Sequence, residues 1–278
     1  MQPFKVAILD MYKGEPNQGM RNIHEILNRY AEEKEIEITK EVFDIRLKHH
    51  IPNLEFDAYI STGGPGSPVD IEGWEDEYLK FVYSLILHNE NSSQKKMMFL
   101  ICHSFQIYCH HFKLGNVCKR ISESFGIFPM HKTSDGNTNK FTKLLAEPFY
   151  AVDSRKWQVI QPDLYALDVM GAKILALEKE RPNIPFERAI MAVQFTPEII
   201  GTQFHPEADA DGMKFYLKSE EKKKVVIDNY GQEKYDSMMA HLGDEDKIPL
   251  TQKHMIPVFL DEALQPHLST VHSYDSIH

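Results

Sequence analysis

Short apolar runs alternate with stretches of helical periodicity through the first half of the chain, and that alternation leaves few architectures open. Lys5–Asp10 (KVAILD) is too short for a helix and leads, past Gly14 and Gly19, into a pattern with Ile23, Ile26, Leu27, Tyr30 and Ala31 at helical spacing. Glu35–Ile45 alternates as a strand does, and Asp57–Ser61 (DAYIS) ends in a glycine-rich turn. Within Trp74–His88, the residues Tyr78, Phe81, Val82, Leu85 and Ile86 share one helical face, and Met97–Cys102 (MMFLIC) is again a strand-length apolar run. Strands that alternate with helices must be joined by crossovers, so this half reads as α/β with a largely parallel sheet.

Between Val117 and Gly201 the pattern changes to strand-like pieces, VCKRIS, FYAV, WQVI, AKILALE and IMAVQF, separated by polar and turn-forming residues. These suggest antiparallel or mixed pairing, with Ile199–Phe204 as a last strand. From Ala208 onward the chain turns helical and charged, and Glu220–Lys224 (EEKKK) reads as a solvated helix face. The boundary is set at residue 218: a domain over 1–218 and a helical extension over 219–278. In the extension, Tyr235, Met238, Met239 and Leu242 form one apolar group and Ile256, Val258, Phe259 and Leu260 a second. These are expected to cover an outer face of their own domain or to make a homodimer contact. Beyond Gly243 only Ile256–Leu264 is expected to pack, and Val271–His278 is expected to fray.

The formal charge of −10 disfavours nucleic acid and anionic membrane surfaces as partners. Three cysteines, Cys102, Cys109 and Cys118, fit neither a CxxC pair nor a zinc spacing, so a reducing compartment and no metal are expected. The N-terminus lacks the pattern of a signal peptide and no apolar run approaches membrane-spanning length, which points to the cytoplasm.

Three segments carry chemistry. Cys102 ends the apolar run and is followed at once by a helical pattern, which would place a thiol on a sharp strand-to-helix turn, exposed at the C-terminal edge of the sheet. In His205-Pro206-Glu207 the proline holds the preceding residue extended, so an imidazole and a carboxylate two residues apart project to the same side, as a base and its orienter require. Ser61–Pro68 (STGGPGSP) follows the third strand and can bring backbone N–H groups close to a ligand.

Taken in this order, the three segments resemble the class I, or triad, glutamine amidotransferases, most closely the glutaminase domain of GMP synthase. The similarity runs from about Lys5 to Lys218, strongest in STGGPGSP, ICHSFQ and TQFHPE and looser in FYAVDSRKWQVIQP. It implies a three-layer, flavodoxin-like α/β fold with a mixed central sheet. It also implies Cys102 as nucleophile on glutamine or a γ-glutamyl compound, His205 as base and Glu207 as its orienter. The backbone amides of Gly64 and His103 would form an oxyanion hole, and Gly66 and Gln106 would hold the glutamine moiety. No cofactor is implied; with no P-loop motif, complete GMP synthesis by this chain alone is not expected, and ammonia would pass to an unidentified acceptor or a separate synthase subunit.

Two departures from the family pattern matter. Leu100 and Ser104 stand where the elbow usually carries glycine, and Ser154-Arg155 stands where the GMP synthase domain has Ser-His, so these two are expected at the substrate pocket, which is either altered or binds an anionic group through Arg155. A γ-glutamyl hydrolase or peptidase and a non-catalytic binding protein therefore stand beside the glutaminase reading.

Overall fold

The computed structural model describes residues 3–15, 17–181 and 185–275, with side chains as far as residue 265. Its elements are β1 (Phe4–Asp10), α1 (Gln18–Lys34), β2 (Ile38–Asp44), β3 (Ala58–Ser61), α2 (Glu75–Asn91), β4 (Met97–Ile101), α3 (His103–His111), β5 (Asn116–Lys132), α4 (Ser134–Thr138) and β6 (Phe149–Ile160). There follow α5 (Leu164–Met170), β7 (Lys173–Glu178), β8 (Ile190–Gln194), β9 (Ile199–Thr202), α6 (Ala210–Lys218), α7 (Glu220–Tyr230), α8 (Gln232–Leu242) and α9 (Ile248–Asp275).

The strands form one sheet in the order β2-β1-β3-β4-β9-β8-β7-β5-β6. Pairing is parallel from β2 to β9 and antiparallel from β9 to β6. This is the mixed α/β sheet that the sequence predicts, and its layers follow from side-chain alternation. On β1, Phe4, Val6 and Ile8 face a core built with Ile23, Ile26, Leu27 and Tyr30 of α1, while Ala7 and Leu9 face the opposite core with α2 and α3. All five residues of β4 are buried, as expected of a central strand covered on both faces.

Several elements differ from expectation. FYAV and WQVI are one strand, β6, because the polar Asp153 and Arg155 between them pair with each other at 2.8 Å and bury without breaking the ladder. VCKRIS is the start of the 17-residue β5, whose register against β6 jumps between Lys119 and Ser124. Glu35 is the left-handed C-cap of α1 and no part of β2.

Ordered packing beyond Gly243 begins at Ile248, ahead of Ile256. Met255, Ile256, Phe259, Leu260, Ala263 and Leu264 of α9 complete the core on the α1 side of the sheet, where Phe259 meets Phe99 of β4 edge-on at 5.4 Å. Tyr235, Met238 and Leu242 of α8 are buried against Ile127 and Val152 of β5 and β6. Both apolar groups of the extension are thus consumed largely within the chain. Residues 271–275, expected to fray, continue α9, and residues 276–278 lie outside the described residues.

Candidate active site

β4 delivers Cys102 to the C-terminal edge of the sheet, and the chain turns there so sharply that Cys102 takes φ +49° and ψ −93°. Positive φ in a residue other than glycine is strained, and Cys102, expected to be exposed, is buried, 6% accessible, touching solvent space only through the pocket that it borders. The Cys102 N–H donates to Thr202 O of β9 at 2.7 Å, and Gln106 N–H returns to Cys102 O at 3.0 Å, so strand and helix both fix the turn.

The two departures at this elbow have physical solutions. Leu100 pairs in register with Gly201 of β9, and it is fully buried. A Cβ at Gly201 would lie 2.7 Å from Phe105 and 3.0 Å from Phe195, so the space that a glycine at 100 would leave is left at 201 instead. Ser104 turns its hydroxyl into the elbow, accepting the Ile101 N–H at 2.9 Å and donating to Ser61 O at 2.8 Å. It ties the turn to the end of β3, where the glycine loop begins.

His205 follows β9 and is held by a backbone bridge to Val152 of β6, its N–H donating to Val152 O at 2.9 Å. Its Nδ1 meets Glu207 Oε1 at 2.7 Å, with the Glu207 side chain 2% exposed. Burial disfavours the imidazolium, but the Glu207 carboxylate and the Cys102 sulfur outweigh it, and the His205 pKa lies well above the usual histidine value. A Cβ placed on Gly63 would sit 3.0 Å from His205 Cε1 and 3.5 Å from Cys102 Cβ, so the two side chains converge on this bare stretch of backbone.

The glycine loop is held from behind by a residue that the sequence reading missed. Arg46, just past β2 and buried, donates to Pro65 O at 2.5 Å and Met11 O at 3.2 Å, and pairs with Glu72 at 2.8 Å. A lone arginine after a strand carries no signal of such a role. Gly64 lies against Met11 O, which a Cβ would approach to 2.2 Å. His103 opens α3, where N–H groups have no intrahelical acceptor. Its imidazole is buried, with Nε2 unpartnered; burial and the nearby Arg46 push its pKa down to about 3.

Cys102, His205, Gly64, Gly66, Gln106, Ser154 and Arg155 all border one pocket of about 400 Å³, within the usual range for small-molecule sites. Glu207 and His103 do not border it and stand behind His205 and the elbow. Tyr12, Glu15, Asn17, Glu123, Lys156 and Trp157 complete the lining. Tyr12 could have been suspected from its place beyond the C-terminal end of β1. Burial, then Glu207 and Cys102, raise its pKa, so it is a neutral hydroxyl. Gln106 donates to Trp157 O at 3.3 Å, and Ser154 O lies 3.9 Å from Cys102 Sγ.

The expectation for Arg155 needs correction. Its side chain is 1% exposed, and its guanidinium is engaged by Asp153 at 2.8 Å, Trp157 O at 3.1 Å and Glu178 at 3.4 Å. Although the residue borders the pocket, its guanidinium is buried and held by these protein partners as a structural cation. Among the described residues, no cluster of three His, Cys, Asp or Glu could hold a metal ion, and no helix is long and apolar enough to cross a membrane.

Residues 18–221 match the family described as glutamine amidotransferase class-I. The chain belongs to this family. Solved structures share its fold at low identity. A glutamine amidotransferase from Thermotoga maritima is 16% identical with a TM-score of 0.63, covering 95% of this chain and 100% of its own. One from Methylobacillus flagellatus is 12% identical with a TM-score of 0.60, covering 95% and 96%. The Trypanosoma brucei CTPS glutaminase domain with bound acivicin is 14% identical with a TM-score of 0.55, covering 73% and 86%. No curated protein matches the chain by sequence.

Proposed function

We propose that this amidotransferase-family chain hydrolyses the side-chain amide of glutamine through Cys102, His205 and Glu207. Cys102 Sγ gives up its proton to His205 and attacks the amide carbon. The carbonyl oxygen becomes an oxyanion facing the Gly64 and His103 amides. The C–N bond then breaks, His205 returns the proton to the departing nitrogen as ammonia leaves, and a γ-glutamyl thioester remains. Water, deprotonated by His205, displaces the thiolate and glutamate departs. With Nδ1 held by Glu207, Nε2 is the nitrogen free to carry these protons. The ammonia goes to a separate synthase subunit, and the 1–218 segment with its helical extension acts as one amidotransferase unit.

The observation that carries this reading is the coincidence on one pocket of a positive-φ elbow cysteine and an imidazole anchored by a buried carboxylate. The test combines mass addition at Cys102 by a glutamine-analogue electrophile with ammonia and glutamate release from glutamine. Labelling and turnover are expected in the parent protein, and both are lost in a folded Cys102→Ala protein. Turnover that survives in Cys102→Ala refutes the nucleophile assignment.

A further inference from the structure

The pocket at Cys102 does not end at the size of a glutamine side chain. A second compartment of about 500 Å³ adjoins it, bounded by Gly66, Ser67, Lys119, Arg120, Glu123, Lys156 and Trp157, and the two share Gly66, Glu123, Lys156 and Trp157. Its origin is the register jump in the β5–β6 ladder. Lys119 pairs with Trp157 and Ser124 pairs with Arg155, so the four residues 120–123 on β5 stand opposite the single residue Lys156 on β6. Such an excursion bends the strand out of the sheet and opens space beneath it.

The charges around this space are not balanced as the interior ones are. Arg120 is engaged by Glu178 at 3.0 Å and by Gln158 at 3.2 Å. Lys119 and Lys156 are exposed, and among the described residues neither is in an ion pair. Lys119 Nζ lies 5.5 Å from the Trp157 ring centroid. Glu123 is the one carboxylate on the wall, and with Glu15 it also borders the inner pocket, where a substrate α-ammonium would be balanced. The outer compartment therefore favours anions through Lys119 and Lys156.

The direction of approach follows from what the compartments do not share. Cys102 and His205 border only the inner pocket, so the reacting amide sits there, and the lining that the two compartments share, Gly66, Glu123, Lys156 and Trp157, marks the opening between them. A glutamine whose side-chain amide is at Cys102 would present its α-carbon toward that opening.

We infer that the outer compartment is a subsite for an anionic group joined to the α-carboxyl side of the glutamine, so that the substrate class is a glutaminyl compound bearing a further carboxylate. This rests on the glutaminase reading above and names its substrate. Lys119 borders only the outer compartment and is the residue that discriminates.

The test measures binding to Cys102→Ala protein by calorimetry, which leaves the ligand intact, with glutaminyl-aspartate, glutaminyl-lysinamide and γ-glutamyl-aspartate as probes. Glutaminyl-aspartate is expected to bind about tenfold or more tighter than glutaminyl-lysinamide, and adding Lys119→Glu is expected to reverse that order. Equal affinity for the two α-extended dipeptides, a preference untouched by Lys119→Glu, or tighter binding of γ-glutamyl-aspartate would each overturn the inference. Parent protein that releases ammonia from glutamine without such discrimination sinks the subsite alone. Parent protein that neither turns over glutamine nor accepts label at Cys102 sinks the glutaminase reading first.

Discussion

The His103 imidazole offers the sharpest physical test of the site's architecture. It is buried with Nε2 unpartnered, and burial and Arg46 hold its pKa at about 3. The unfolded chain binds a proton on this group near pH 6.5 while the folded protein does not, so the unfolded state is favoured as pH falls below 6.5. The contribution is absent at pH 7.5 and grows by about 1.4 kcal/mol per pH unit down to the folded value, reaching about 2 kcal/mol at pH 5.0. Replacing His103 with Leu keeps the backbone amide, fills a similar volume and removes the titration. Urea unfolding of both proteins at pH 7.5, 6.0 and 5.0 measures the difference. The parent is expected to lose about 2 kcal/mol more than His103→Leu between the extremes. The other histidines shifted downward, His24, His111, His241 and His254, titrate in both proteins and cancel. Identical losses in the two proteins would show that His103 is not a buried neutral group, and the packing of the elbow against Arg46 would be wrong.

Glu207→Gln should lower glutamine turnover less than His205→Asn does, since removing an orienter leaves part of the catalysis of a triad; equal losses in steady-state kinetics would contradict this. Gly63→Ala places a methyl 3.0 Å from His205 Cε1, so turnover should fall at least tenfold while the thermal midpoint holds within a few degrees; full activity would mean the imidazole stands elsewhere. Gly201→Ala forces a methyl against Phe105 and Phe195 and should cost about 1–3 kcal/mol in denaturant unfolding. Phe259→Ala should cost about 3–5 kcal/mol by the same measurement, because the ring is fully buried against Phe99. A loss under 1 kcal/mol there would mean that α9 is a removable appendage.

The alternation of KVAILD, DAYIS and MMFLIC with helical stretches determined the parallel half of the sheet, since strand-length runs separated by helices allow little else. Local spacing also determined the His205–Glu207 pair, because two residues apart in extended backbone is a short-range geometry. What lay beyond reach was every feature that depends on a distant neighbour. Asp153 and Arg155 look like a strand break until Glu178 and Ser124 are brought beside them. Leu100 looks incompatible with the elbow until Gly201 is set opposite it. Arg155 looks available to a ligand, yet the fold spends its charge inside, while Arg46, silent in the sequence, reaches the glycine loop past the end of β1. Composition and spacing report interactions within a turn or two of the chain. Buried charge and close packing are decided by which residues the sheet order places side by side, and only the tertiary structure holds that order.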